Sequence, residues 1–188
     1  MSGFFLELFT EEIPAGLQSS ARNDLNKNFK IFFDEQNIKY DINAKIVSTP
    51  NRLAVYFKSI KKEILIKSDE IRGPSVSASE KAIEGFTKSN ETSKKHLFKK
   101  KTEKGEFYFF KKPAKKVKTI DILNKNIPLI LEKLNWKKSM KWGEFNLYWG
   151  RPLKSILAMY DSKPLNFKFH HLTSSDKTFI DKDFEEKT

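Results

Sequence analysis

The 188-residue sequence contains no cysteine, which excludes disulfides and thiolate metal sites. Its three histidines, two of them adjacent (His170, His171), make a poor ligand set, so no metal site is expected. No stretch approaches the roughly 20 apolar residues that a membrane-spanning helix needs. The opening MSGFFLELFTEE reaches acidic residues too early for a secretory signal. A cytoplasmic protein with no membrane partner is expected. Phosphate-cradling and nucleophile motifs are missing as well: there is no GxxxxGKS/T, GxGxxG, HExxH or GxSxG. Nothing has the equipment of an independent enzyme, and no residue is assigned a catalytic role. The pair Glu11-Glu12, following Glu7, is the nearest candidate for acid–base work or Mg²⁺ binding. Adjacent residues on an extended segment point apart, however, and Thr-Glu-Glu before Ile13-Pro14 reads equally well as turn and cap chemistry.

Arginine is scarce too. Of 36 basic residues only four are Arg (Arg22, Arg52, Arg72, Arg151). A chain so rich in Lys, Asn, Ile and Phe has the composition of an AT-rich genome. Lysine drift of that kind raises the net charge, here +12, without selecting a ligand, so the charge alone is a weak argument for an RNA partner. Arginine kept against that drift points instead to geometry, because only Arg offers a planar, bidentate fork.

What is present is enough apolar material for a core, with 38% hydrophobic residues and seventeen Phe. Residues 4 to 9 (FFLELF) predict a buried strand closed by Pro14 and Gly16. Leu17, Ala21, Leu25, Phe29, Phe32 and Phe33 then follow helical spacing, with Arg22, Asp24 and Lys30 on the opposite face. Tyr40 to Ser48 and Leu53 to Ile60 predict two strands around the turn Thr49-Pro50-Asn51-Arg52. A third stretch, Glu63 to Arg72, is expected to end at Gly73-Pro74. A short helix over Glu80 to Phe86 should close near Ser89-Asn90.

From Lys94 to Lys118 eleven Lys face only Glu103 and Glu106. Thr102-Glu103-Lys104-Gly105 lies between two apolar runs, which predicts a basic β-hairpin. Lys99, Lys100, Lys101, Lys111 and Lys112 are its candidate phosphate contacts, and its interleaved aromatics offer base stacking; the alternative is a solvated strand face over ordinary core. Ile120 to Leu134 predicts a helix with Thr119 as N-cap and a bend or break at Pro128. Trp136 to Trp149 reads as an aromatic loop, either an interface anchor or a packing corner. Ile156 to Tyr160 and Leu165 to His171 predict a second hairpin around Asp161-Ser162-Lys163-Pro164.

The fold class expected is α+β, with mainly antiparallel strands and three main helices. The chain should form a single domain or two small subdomains: 1–92, then 93–175, with 176–188 a charged tail that reads as the start of a continuation.

Taken in order, five segments resemble the β subunit of the bacterial heterotetrameric glycyl-tRNA synthetase. They are Glu7 to Pro14 (with Glu11, Glu12 and Pro14), Thr49 to Ala54 (with Arg52), Arg72-Gly73-Pro74, Lys138 to Gly143 (with Met140, Trp142 and Gly143), and Arg151-Pro152. Three of the four Arg fall inside them. Phe9, Asn51 and Lys141 depart from the family pattern, which has Gly, Arg and Arg there. The family's G-H-R-F-like element has no clear counterpart, although Phe179-Ile180-Asp181-Lys182 stands nearby. The resemblance implies a non-catalytic part of an enzyme that joins glycine to tRNA(Gly). By the same resemblance ATP and Mg²⁺ are held by a partner α subunit, this chain holds no cofactor, and its partners are the α subunit, tRNA(Gly) and the rest of the β subunit. An independent RNA-binding module is the alternative.

Overall fold

In a computed structural model, residues 1–66, 68–103 and 105–180 are described. In chain order the elements are β1 (Ser2–Thr10), α1 (Ala15–Glu35), β2 (Lys45–Thr49), β3 (Arg52–Ile60), β4 (Glu63–Ile66), β5 (Asp69–Ser75), α2 (Glu80–Ser89), β6 (Leu97–Thr102), β7 (Gly105–Lys112), β8 (Lys115–Lys118), α3 (Thr119–Glu132), β9 (Leu153–Tyr160), β10 (Lys163–Pro164), β11 (Lys168–Phe169) and β12 (Leu172–Thr173). Three α-helices with mainly antiparallel strands make this an α+β fold. The chain divides into two compact units, Met1–Ile64 with Val117–Thr188, and Leu65–Lys116. The boundary expected at 92/93 instead falls inside the second unit, between α2 and β6. One unit is thus an insertion within the other, an arrangement that strand and helix periodicity, being local, does not report.

The first unit is built on a five-stranded antiparallel sheet in the order β10-β9-β1-β3-β2. The apolar run FFLELF takes the central position as β1. Its Phe4, Leu6 and Leu8 lie opposite Phe57, Val55 and Leu53 on β3 and opposite Tyr160, Ala158 and Ile156 on β9. All nine are buried. Helix α1 packs on this face with the six residues its spacing singled out, Leu17, Ala21, Leu25, Phe29, Phe32 and Phe33. Phe29 and Phe33 bring their rings to 6.0 and 5.0 Å from Phe57. Each such side chain contributes about 1.5–3 kcal/mol by burial. On the opposite face of the sheet, Tyr56 and Val47 are exposed and Phe5 and Met159 half-buried.

Three local expectations are corrected in this unit. Thr119 is not the N-cap of α3: Lys118 is, and Thr119, fully buried, sends its hydroxyl to the Lys61 carbonyl at 2.5 Å and its amide to that of Lys62 at 2.8 Å. Pro128 neither ends nor divides α3, which runs on to Glu132 because Ile127, Ile130 and Leu131 are anchored in the core on either side of it; tertiary burial overrides the local propensity. The second hairpin is much shorter than expected. Asp161 and Ser162, both at positive φ, make a tight two-residue turn, but the return strand covers only Lys163 and Pro164, and after one more bond, from the Leu165 amide to the Ala158 carbonyl at 2.9 Å, the chain leaves β9. The chain then folds into the small β11–β12 hairpin, with His170 at positive φ in its turn.

The second unit is a three-stranded antiparallel sheet, β5-β7-β6, accompanied by α2. The basic hairpin forms with Thr102 opposite Gly105. Strand β5 does not end at Gly73-Pro74, as expected. It passes through them to Ser75, with its register to β7 shifted between Arg72 and Ser75. A bulge accommodates a proline that cannot donate to the ladder. Gly73 is needed there, since a Cβ at this position would stand 2.8 Å from the Phe86 ring of α2.

Candidate functional site

At one end of the first sheet the chain brings together three motif segments distant in sequence. The amide of Thr10 donates to the Asn51 carbonyl at 2.8 Å, that of Glu11 to the Pro152 carbonyl at 2.9 Å, and that of Ile13 to the Pro50 carbonyl at 2.6 Å. The Asn51 side-chain amide returns a bond to the Thr10 carbonyl at 3.2 Å. Glu11, Glu12, Pro14, Pro50, Arg151 and Gln18 thereby line an open cleft of about 650 Å³ at the start of α1. Lys154 pairs with Glu11 at 2.6 Å, and Arg151 donates to the carbonyl of its neighbour Gly150 at 2.7 Å. Two carboxylates and one guanidinium around a shallow cleft suit a charged protein surface better than a phosphate, which the carboxylates would repel. Of the Glu11-Glu12 pair, Glu11 is paired with Lys154 and both side chains line the cleft.

Arg52, by contrast, is fully engaged. It binds Glu7 at 2.9 Å, Thr178 Oγ at 3.0 Å, and the carbonyls of Phe179 and Ile180 at 2.5 and 3.0 Å. Thr178 also bonds Glu7. Phe9 lies beneath the guanidinium at 4.6 Å and stacks on Phe179 at 5.2 Å. Residues 178–180 are thus fixed to the sheet face that carries Glu7, Phe9 and Arg52. The expectation for Asp176 to Thr188 holds no hint of this anchorage, and residues 181–188, with Asp181-Lys182, lie outside the described residues. The sequence separation of Arg52 and Phe179 left no local signal for the contact.

The Trp136 to Trp149 segment is a loop closed by mutual backbone bonds between Met140 and Trp149, at 2.8 and 3.1 Å. Trp149 is buried against Phe169, and Trp136 packs on it at 5.3 Å. Gly150 is required here: a Cβ would meet the Trp136 ring at 2.3 Å. Gly143 turns the chain at φ +54°. Trp142 edges onto His171 at 6.0 Å, and Phe145 stacks on the same imidazole at 3.7 Å. His170-His171 is therefore turn and packing material. Among the described residues no three His, Asp or Glu side chains converge as a metal site. Met140, Phe145 and Tyr148 remain exposed. The loop is a packing corner that also carries an apolar edge.

In the second unit strand alternation divides the candidate lysines. Lys99, Lys101 and Lys112 share a face with Ile71, Tyr108 and Phe110, with Lys101 opposite Glu106 and Lys112 opposite Asp69. Lys100 and Lys111 share the other face with Arg72, Phe98, Phe107 and Phe109. Lys100 pairs with Glu70 at 2.8 Å and lies 5.5 Å from the Phe109 ring centre. That ion pair holds the Glu70 carboxyl below its ordinary range. Arg72 lies 3.7 Å over Phe107. The aromatic run was legible in the sequence; the placement of Arg72 on it was not, because the two are joined across strands.

The family profile described as Glycyl-tRNA synthetase beta subunit matches residues 4–188. The glycine–tRNA ligase beta subunit of Rickettsia canadensis is 38% identical over 179 residues, covering 95% of this chain and 26% of its own length. That of Rickettsia prowazekii is 38% identical over 179 residues, with 95% of this chain and 27% of its own length covered. The Rickettsia felis protein of the same name is 38% identical over 176 residues, or 94% and 26%. The chain spans about a quarter of the length of the curated relatives it matches.

Proposed function

Because the chain belongs to the glycyl-tRNA synthetase beta subunit family, we propose that it is the N-terminal part of such a subunit and supports ATP-dependent glycylation of tRNA(Gly) in the cytoplasm without carrying out the chemistry. On this reading ATP and Mg²⁺ are handled by the α subunit, and the partners of this chain are the α subunit, tRNA(Gly) and the remainder of the β subunit. The carrying observation is the junction where Glu11-Glu12-Ile13-Pro14, Pro50-Asn51-Arg52 and Arg151-Pro152 are stitched together by backbone hydrogen bonds. The family motifs there build a rigid, charged cleft, the kind of surface that sets register and specificity in a protein interface.

The experiment is co-purification of the tagged chain, and of the longer subunit, with the α subunit, followed by tRNA(Gly) glycylation. The longer subunit with Arg151→Ala should bind the α subunit more weakly while melting normally. Failure of both forms to retain the α subunit would overturn the assignment.

A further inference from the structure

We propose that the face of the second unit bearing Arg72, Phe98, Phe107 and Phe109 is a stacking surface for unpaired RNA bases. The inference deepens the RNA side of the function proposed above and rests on that reading for the identity of the RNA.

The planes are laid out on adjacent strands. Arg72 on β5 sits 3.7 Å over Phe107 on β7 and is exposed. Phe98 on β6 stacks on Phe109 at 6.1 Å between ring centres, with the planes 29° apart. Phe98 is 37% exposed although the opposite face of the same sheet already buries Phe110. Phe109 is itself buried, 8% exposed, beneath Phe98 and Lys100, so it serves as the floor on which Phe98 is held while Arg72 and Phe98 present the outer planes. Aromatic rings and Arg guanidinium planes are the two surfaces on which proteins stack unpaired bases. Among the described residues no carboxylate pairs with Arg72, so the guanidinium plane is not committed to an acid.

The backbone fits this use. The bulge at Gly73-Pro74 follows Arg72 directly, and bulges re-aim the side chains beside them. Gly73 admits Phe86 of α2 to the strand at this point. Lys100 and Lys111 stand on the same face as the rings, with Lys111 opposite Glu70, and supply the positive charge that phosphates beside a stacked base would need. Glu70 is the opposing element: it holds Lys100 and must give it up to a phosphate. Paired RNA presents phosphates but hides its base planes, so the chemistry favours single strands, loops or ends over duplex.

The test uses the whole chain with a short single-stranded RNA carrying 2-aminopurine, whose fluorescence falls on stacking, and with a blunt RNA duplex of equal charge. The single strand is expected to bind more tightly and to be quenched. Arg72→Lys, which keeps the charge and removes the plane, should weaken that binding about tenfold without changing its salt slope, and Phe98→Leu should act similarly. Glu70→Gln, a surface change, should tighten it. Equal binding of both RNAs, or affinity unmoved by Arg72→Lys and Phe98→Leu in folded protein, would overturn the proposal, as would a poly-glutamate peptide that competes as well as RNA. A chain that retains the α subunit yet fails this assay sinks only the stacking surface.

Discussion

Arg52 and Glu7 face each other at 2.9 Å across neighbouring strands, and their pair fastens the segment 178–180 to the open side of the first sheet. Both side chains are largely shielded, with 23% and 12% of their surface exposed. Partners held this way are costly to separate, because the survivor keeps its charge without its hydrogen bonds. Phe9 forms the floor of this clasp, 4.6 Å below the guanidinium.

Arg52→Lys keeps the charge but not the fork, and should destabilise the first unit by about 1–2 kcal/mol; Arg52→Ala should cost about 3 kcal/mol. All three Trp lie in that unit, so tryptophan fluorescence in a urea titration reads it selectively. Limited proteolysis should cut residues 176–180 sooner in both variants.

Gly150 and Trp136 make a second dependence. Gly150→Ala drives a methyl group into a large ring that is itself wedged against Trp149. The overpacking should cost about 1–3 kcal/mol and shift the tryptophan emission. Gly85→Ala, where an added Cβ meets nothing within 4 Å, should be neutral or slightly stabilising by its gain in helix propensity, about 1 kcal/mol at most.

Asp161 sets a pH dependence. Lys62 first and Ser2 second, each at 2.6 Å, hold its carboxyl below the ordinary aspartate value. A lowered folded-state pKa means that the contribution is complete above the unfolded value of about 3.9 and is lost as the pH falls through the lower, folded one. Asp161→Asn keeps a residue tolerant of the positive φ at this turn. The variant should melt lower than the parent at pH 7, and the gap should close in acid. A constant gap from neutral to acid pH would assign the effect to something other than the carboxylate.

The elements that could be read in advance were those whose own residues settle the outcome. The six-residue apolar stripe of α1, the FFLELF strand and the Thr49–Arg52 turn all carry their periodicity or turn chemistry locally. What escaped were contacts made by distant chain. Pro128 stays helical because the core holds Ile127 and Leu131 on both sides of it. Thr119 is pulled inward by the Lys61 and Lys62 carbonyls. The insertion of one unit within another leaves no periodic mark. The rare arginines were singled out for geometry, and the surroundings of Arg52 and Arg72 are geometric: a multidentate clasp and a ring stack. The partner of each came from another strand or from the far end of the chain, so the residue was legible and its role was not.

The division of the lysines by strand alternation gives the last prediction. If RNA lies on the Arg72 face, Lys100 and Lys111 neutralise its phosphates while Lys99, Lys101 and Lys112 point away and oppose Tyr108, Glu106 and Asp69. Each phosphate left without its lysine should flatten the slope of log K against log salt by about 0.7 for a single strand. Replacing Lys100 and Lys111 with Gln should therefore reduce the slope by about 1.4, whereas the triple Gln variant at Lys99, Lys101 and Lys112 should leave it nearly unchanged despite removing more charge. The measurement is a salt titration of single-stranded RNA binding with both variants, side by side. The reverse ranking would put the RNA on the Phe110 face, and equal reductions in proportion to charge would mean diffuse attraction with no preferred face.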